Sequence, residues 1–96
     1  MIAEMQVIAD AVAEVTEIQF SDIASASKRE DVVIARKLFV HFAVERGLPT
    51  SMIAKEIRKT QSSVRFLNTK DYRKIFDIFA QRIRMKLTNK TVVQSA

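Results

Sequence analysis

Glycine and proline are nearly absent from this chain, and that scarcity constrains its fold more than any other feature. Its 96 residues include one glycine, Gly47, and one proline, Pro49. Because these two residues most often mark turns and loops, a chain poor in both favours helices joined by short connections. The β-branched residues recur at helical spacing and do not alternate as they do in strands. We therefore expect an all-α fold, a compact helical domain of five to six helices.

The length allows one domain, which we place at residues 1–90, with 91–96 as a frayed tail that lacks an apolar pattern. The chain has no cysteine, and its only histidine is His41. Disulfides, thiolate metal sites and multi-histidine metal sites are thus excluded. No carboxylate pair has the form of an acid/base couple, and His41 lies in an apolar helix. We expect no enzyme, no catalytic residue, no cofactor and no metal.

Positive charge is concentrated in the second half of the chain. Residues 1–53 carry 5 basic and 8 acidic side chains, whereas residues 54–96 carry 11 basic and 3 acidic ones. A basic half on a small domain indicates a polyanionic partner. A signal peptide and an apolar run of about eighteen residues are both lacking, so we predict a cytoplasmic, nucleoid-associated protein.

Apolar spacing and capping residues predict the helices. The first covers residues 2–17 and has an acidic outer face, and a short turn capped by Ser21 follows. A capping box at 27–30 opens the core helix, which ends at Gly47. Thr50 or Ser51 caps a helix that reaches about Arg58. The last two helices cover Gln61–Leu67 and residues 70–87. The core helix buries Val32, Ala35, Leu38, Phe39, Phe42 and Ala43, and the last helix buries Tyr72, Ile75, Phe76, Phe79, Ile83 and Leu87.

The two short helices predict a helix-turn-helix at about residues 51–68. Ala54 is the small residue that such a motif needs where its helices cross. Four apolar residues attach the pair to the core: Ile53, Ile57, Val64 and Leu67. Arg58 stands where the motif usually has glycine.

Polar side chains cover the outward face of the second short helix. Gln61, Ser62 and Arg65 face outward, with Ser63 and Asn68 beside them, and such side chains match base edges in the major groove. No acidic residue lies between Ile57 and Lys70. The alternative is an ordinary polar surface helix.

Residues 8–67 resemble the C-terminal DNA-binding domain of the bacterial replication initiator DnaA family, a helix-turn-helix of the Trp-repressor type. The resemblance rests on Ala11-Val12-Ala13, Phe20-Ser21-Asp22-Ile23, Lys28-Arg29-Glu30, Val33, Ala35-Arg36, Ile53–Ile57 and Ser62-Ser63-Val64. The family signature is Arg-Asp-His-Thr-Thr-Val. Lys59, Thr60 and Gln61 stand at its Arg, Asp and His, and one residue of a Gly-Gly loop is missing near Arg58.

The resemblance implies sequence-specific binding to double-stranded DNA, in replication initiation or in transcriptional regulation. It places base reading on residues 60–63, phosphate contact on Arg36 and minor-groove contact on Lys59. With the residues chosen from the pattern, the predicted base readers are Thr60, Gln61, Ser62, Ser63 and Arg65. The predicted phosphate or minor-groove residues are Arg36, Lys55, Arg58 and Lys59. The departures at Thr60 and Gln61 leave open whether the family's usual target is recognised.

Two other functions remain open at this stage. The acidic face of residues 2–17 could dock a protein partner, with little or no DNA binding. Residues 70–87 could lie on a membrane surface as a basic amphipathic helix. The membrane alternative ranks last, because Tyr72, Phe76 and Phe79 are expected in the core, and we predict no membrane partner. The oligomeric state is left open.

Overall fold

The computed structural model describes the backbone of residues 1–95 and the side chains of residues 1–88. The secondary structure of these residues consists of six helices, with no strand. They are α1 (Ala3–Thr16), α2 (Phe20–Ile23), α3 (Glu30–Glu45), α4 (Thr50–Ile57), α5 (Gln61–Leu67) and α6 (Lys74–Ser95). The predicted all-α fold is confirmed.

Helix α3 is the centre of the fold and packs against each of the other five helices. Nine of its sixteen residues are buried, as expected for a helix surrounded by others. All six residues predicted for its inner face are buried. Phe39 also meets Phe20 of α2 edge to face, with the ring centroids 5.1 Å apart. The predicted role of this helix as the core is therefore confirmed.

Gly47 ends α3 as predicted. Its φ is +80°, and it lies in a Schellman motif: the Leu48 amide donates to the Ala43 carbonyl at 3.1 Å, and the Gly47 amide donates to the Val44 carbonyl at 2.9 Å. A Cβ added at Gly47 would meet no atom within 4 Å. The glycine is favoured here by its backbone conformation and not by a lack of space.

The predicted N-caps of the first three inter-helix junctions are wrong. Ser21 lies inside α2, and Thr50 and Ser51 lie inside α4, whose N-cap is Pro49. The capping box at 27–30 does not form, because the Ser27 hydroxyl accepts a hydrogen bond from the Arg29 amide, ahead of the helix. In each case the helix begins one or more residues away from the position where the proposed side chain would cap it.

Helix α6 begins later and ends later than predicted. It begins at Lys74 because the buried carboxylate of Asp71 accepts hydrogen bonds from the amide and the guanidinium of Arg73, which holds this segment outside the helix. Tyr72 therefore precedes the helix and is exposed, contrary to the prediction. Ile75 is also exposed, because the buried face of α6 is formed by Phe76, Ile83 and Leu87. The predicted frayed tail is helical to Ser95, and residue 96 lies outside the described residues.

The Cα radius of gyration is 12.6 Å, close to the value of about 13 Å for a single compact domain of 100 residues. Among the helices described, none combines the length and the apolar character that crossing a membrane requires.

Candidate nucleic-acid interface

Helices α4 and α5 pack against each other and against α3, which positions the predicted site. Ile53, Ile57 and Val64 are fully buried in the core, and Leu67 is half-buried against it. Ala54 is also buried. The apolar residues predicted to attach this helical pair to the core do so.

The turn between α4 and α5 adopts the backbone conformation of a glycine although no glycine is present. Arg58 has a φ of 58°, in the left-handed region. The Lys59 amide donates to the Ala54 carbonyl at 2.9 Å and the Arg58 amide donates to the Lys55 carbonyl at 3.3 Å, which again forms a Schellman motif. A non-glycine residue in this region costs about 1 kcal/mol. The tight turn therefore forms although Arg58 occupies the position where the motif usually has glycine.

Thr60 and Ser63 are engaged with each other at the start of α5. The Thr60 hydroxyl accepts a hydrogen bond from the Ser63 amide at 3.1 Å and donates to the Ser63 hydroxyl at 3.1 Å. Thr60 is therefore the N-cap of α5. Thr60 and Ser63, two of the predicted base readers, therefore stabilise the start of α5. The other three predicted readers, Gln61, Ser62 and Arg65, have exposed side chains that take no part in this cap.

A cleft of about 670 Å³ lies between α5 and the loop that joins α2 to α3. Lys28 and Lys59 line it, together with Ser62, Ser63 and Phe66. Sequence analysis did not place Lys28 or Phe66 at the site. The spacing of Phe66 to Ser62, four residues on one helix, was the available signal.

Lys59 connects the turn to the α2–α3 loop. Its ammonium donates to the Ser25 carbonyl at 3.0 Å and is half-buried. Partial burial lowers the pKa of Lys59, and the positive charges of Arg36 and Lys28 lower it further. Arg36 and Lys28 are therefore close enough to Lys59 to repel its charge, and a phosphate bound here would relieve that repulsion.

Arg36 does not have the phosphate role predicted for it. Its side chain is 4% exposed, and its guanidinium donates four hydrogen bonds to backbone carbonyls of the α2–α3 segment. These acceptors are Ile23 at 2.7 Å, Ser25 at 2.9 Å, Ser27 at 3.1 Å and Asp22 at 3.3 Å. Four of its five donors are consumed inside the protein, so the predicted contact with DNA is corrected to a structural role.

The other predicted phosphate residues remain at the surface. Lys55 on α4 and Arg58 in the turn are exposed. Both line a groove between α2 and α4 that also includes Ser21 and Ser25. Lys28 and Lys59 thus line the cleft beside α5, whereas Lys55 and Arg58 lie on the groove between α2 and α4, which also contains Glu56.

Comparison with protein-family models, with curated proteins and with solved structures finds no match to this chain.

The acidic face of α1 is largely engaged within the molecule. Glu14 accepts from the Lys86 ammonium at 2.9 Å, Glu4 lies 3.9 Å from Arg46, and the Asp10 carboxylate accepts from the side chain of Gln6 at 2.8 Å. The three carboxylates nevertheless remain exposed, so a protein partner at this face stays a prediction.

His41 is half-buried beside Phe42 and Phe76, with ring centroids 5.3 and 6.4 Å away. Within the described residues, no group of three potential metal ligands comes together. The surroundings of His41 are those of a packed aromatic side chain.

Proposed function

We propose that this chain binds double-stranded DNA, with α4 and α5 forming a helix-turn-helix and α5 lying in the major groove. The observation that carries the proposal is the outer surface of α5, where Gln61, Ser62 and Arg65 are exposed together. Gln pairs with adenine, Arg with guanine, and Ser bonds to several base edges. The N-terminal residues of the second helix of such a motif contact the bases, and Gln61 and Ser62 are the first two residues of α5.

The electrostatics of the surface support the same orientation. Helix α5 carries no carboxylate, and no acidic residue occurs from Arg58 to Lys70. Among the exposed cations, Lys28 lines the cleft beside α5, Arg58 lies in the turn before it, and Lys55 lies on α4, which packs against it. An ordinary polar surface helix usually carries both acidic and basic side chains. A helix that enters a groove between two phosphate backbones binds more tightly when its charged side chains are all positive, because phosphates repel carboxylates.

The first test is the salt dependence of binding to a duplex. If roughly five cations contact phosphates, a plot of log affinity against log salt concentration has a slope of about −4 to −5. Titration of one duplex at several salt concentrations measures it. Absence of binding at low salt, or a slope near zero, contradicts the proposal.

The second test separates base reading from phosphate contact. We expect Gln61→Ala and Arg65→Ala to lose the preference for a selected site over a scrambled duplex, by about 1 to 3 kcal/mol each. Lys55→Ala weakens both duplexes alike and reduces the salt slope by about one. Arg82→Ala is the charge-matched control, because Arg82 is exposed on α6, which packs on α1 and α3. If Gln61→Ala and Arg65→Ala weaken both duplexes equally, or neither, α5 is not the reading helix.

A further inference from the structure

The side chain of Phe66 is 77% exposed on the outer surface of α5. This exposure sets it apart from the buried phenylalanines of the core, Phe39, Phe42 and Phe76. Phe66 follows Ser62 by four residues and Arg65 by one, so it lies one helical turn beyond Ser62 on the same side. The phenyl ring is therefore part of the surface proposed to face the base edges, and it is the only apolar side chain exposed on α5.

A phenyl ring in the major groove has one matching feature among the base edges. Adenine, guanine and cytosine present polar donors and acceptors there, whereas thymine also presents the C5-methyl group. Apolar side chains, Phe among them, recognise that methyl group by contact. Burying it removes apolar surface of both groups from water, which a contact with the other bases does not achieve.

We infer that Phe66 selects thymine at one position of the recognised site by packing against its C5-methyl group. The inference rests on the proposed function and adds the base that the site must contain. Charge favours DNA as the occupant over an apolar protein surface. Arg65 is exposed beside Phe66, and Lys28 and Lys59 line the cleft that Phe66 also lines. A molecule that covers the ring therefore lies among positive charges, which favours a negatively charged one.

The test removes only the methyl group from the DNA. A duplex selected from a random library by the full chain is resynthesised with deoxyuridine in place of each thymine, one at a time. We expect one substitution to weaken binding about fourfold, the factor for one buried methyl group. Phe66→Ala removes this difference between thymine and deoxyuridine at that position, and Phe66→Leu retains part of it.

Tyr72→Ala is the matched control, because Tyr72 is an aromatic residue with 84% exposure that lies outside α5. It leaves the thymine preference unchanged. Because the Phe66 side chain is largely exposed, Phe66→Ala melts at the temperature of the wild type, which excludes unfolding as the cause of any loss.

The outcomes separate the two proposals. Salt-dependent binding that tolerates deoxyuridine at every position overturns the role of Phe66 and leaves duplex binding intact. The same conclusion follows if Phe66→Ala keeps the thymine preference, or if Phe66 proves necessary only for binding an acidic protein. A chain that binds no duplex overturns both proposals together.

Discussion

Arg36 offers the most direct test of the structure, because the sequence and the fold assign it different roles. The predicted role was a phosphate contact, whereas the structure buries the side chain and uses it to hold the α2–α3 loop. Replacement by Met retains most of the aliphatic stem and removes every donor. Arg36→Met therefore isolates the contribution of the guanidinium to the free energy of unfolding.

The expected loss follows from the four hydrogen bonds. The bond to the Ile23 carbonyl is fully buried, and the other three are partly buried. A hydrogen bond from a charged donor contributes about 1.5 to 3 kcal/mol when buried, and a partly exposed one contributes about 0.5 to 1 kcal/mol. We expect Arg36→Met to lower the free energy of unfolding by about 3 to 6 kcal/mol, which lowers the melting temperature by at least about 12 °C.

Thermal and urea denaturation followed by circular dichroism measure this loss. Lys55→Ala is the control, since its exposed ammonium leaves stability unchanged while the DNA salt slope decreases by about one. For Arg36→Met, assayed well below its melting temperature, we expect the opposite pattern: lower stability and an unchanged slope. A variant that melts with the wild type and loses one unit of salt slope would refute the structural role and restore the phosphate contact.

Two further predictions concern the turn and the start of α6. Arg58→Gly relieves a left-handed conformation and raises the free energy of unfolding by about 1 kcal/mol, while the salt slope of DNA binding falls by about one. Glu17 also has a positive φ, 60°, so Glu17→Gly raises the free energy of unfolding by a similar amount but leaves the salt slope of DNA binding unchanged. Denaturation curves that give both variants the stability of the wild type would contradict the strain at these positions. Asp71 accepts hydrogen bonds from Arg73 and Lys37, which hold its pKa well below the usual range. This stabilisation is complete above the ordinary pKa of about 4 and is lost as the pH falls through the lower, folded-state pKa. We therefore expect Asp71→Asn to lower the free energy of unfolding by about 2 kcal/mol at pH 7, and we expect this difference from the wild type to narrow below about pH 4. Urea titrations at several pH values measure it, and a difference that does not change with pH would exclude the carboxylate as its source.

The helices that could be predicted are those specified by local patterns. The buried residues of α3 recur every three to four positions, and Gly47, followed by Leu48 and Pro49, marks the end of the helix. The bounds of α5 are also local, since Val64 and Leu67 supply the apolar spacing. Periodicity and turn chemistry act over one or two helical turns, so the sequence is sufficient for them.

The candidate site divides in the same way. Gln61, Ser62 and Arg65 are predicted readers that the structure leaves exposed on α5, because their place on the helix follows from its period alone. Phe66 follows from the same period but was missed, since an apolar residue on a helix is usually buried.

Tertiary structure alone decided the features that depend on distant partners. Arg36 is buried because carbonyls 9 to 14 residues earlier surround it. Asp71, whose carboxylate precedes α6, is buried where it meets Lys37, 34 residues away, at 3.0 Å. Lys59 donates a hydrogen bond to the carbonyl of Ser25, which is likewise 34 residues away in the sequence. The sequence by itself determined which segments are helices, because each helix satisfies its own backbone hydrogen bonds. Which cations remain at the surface was determined by the packing of loops against helices, since a charged side chain is buried only where the fold supplies acceptors for its donors.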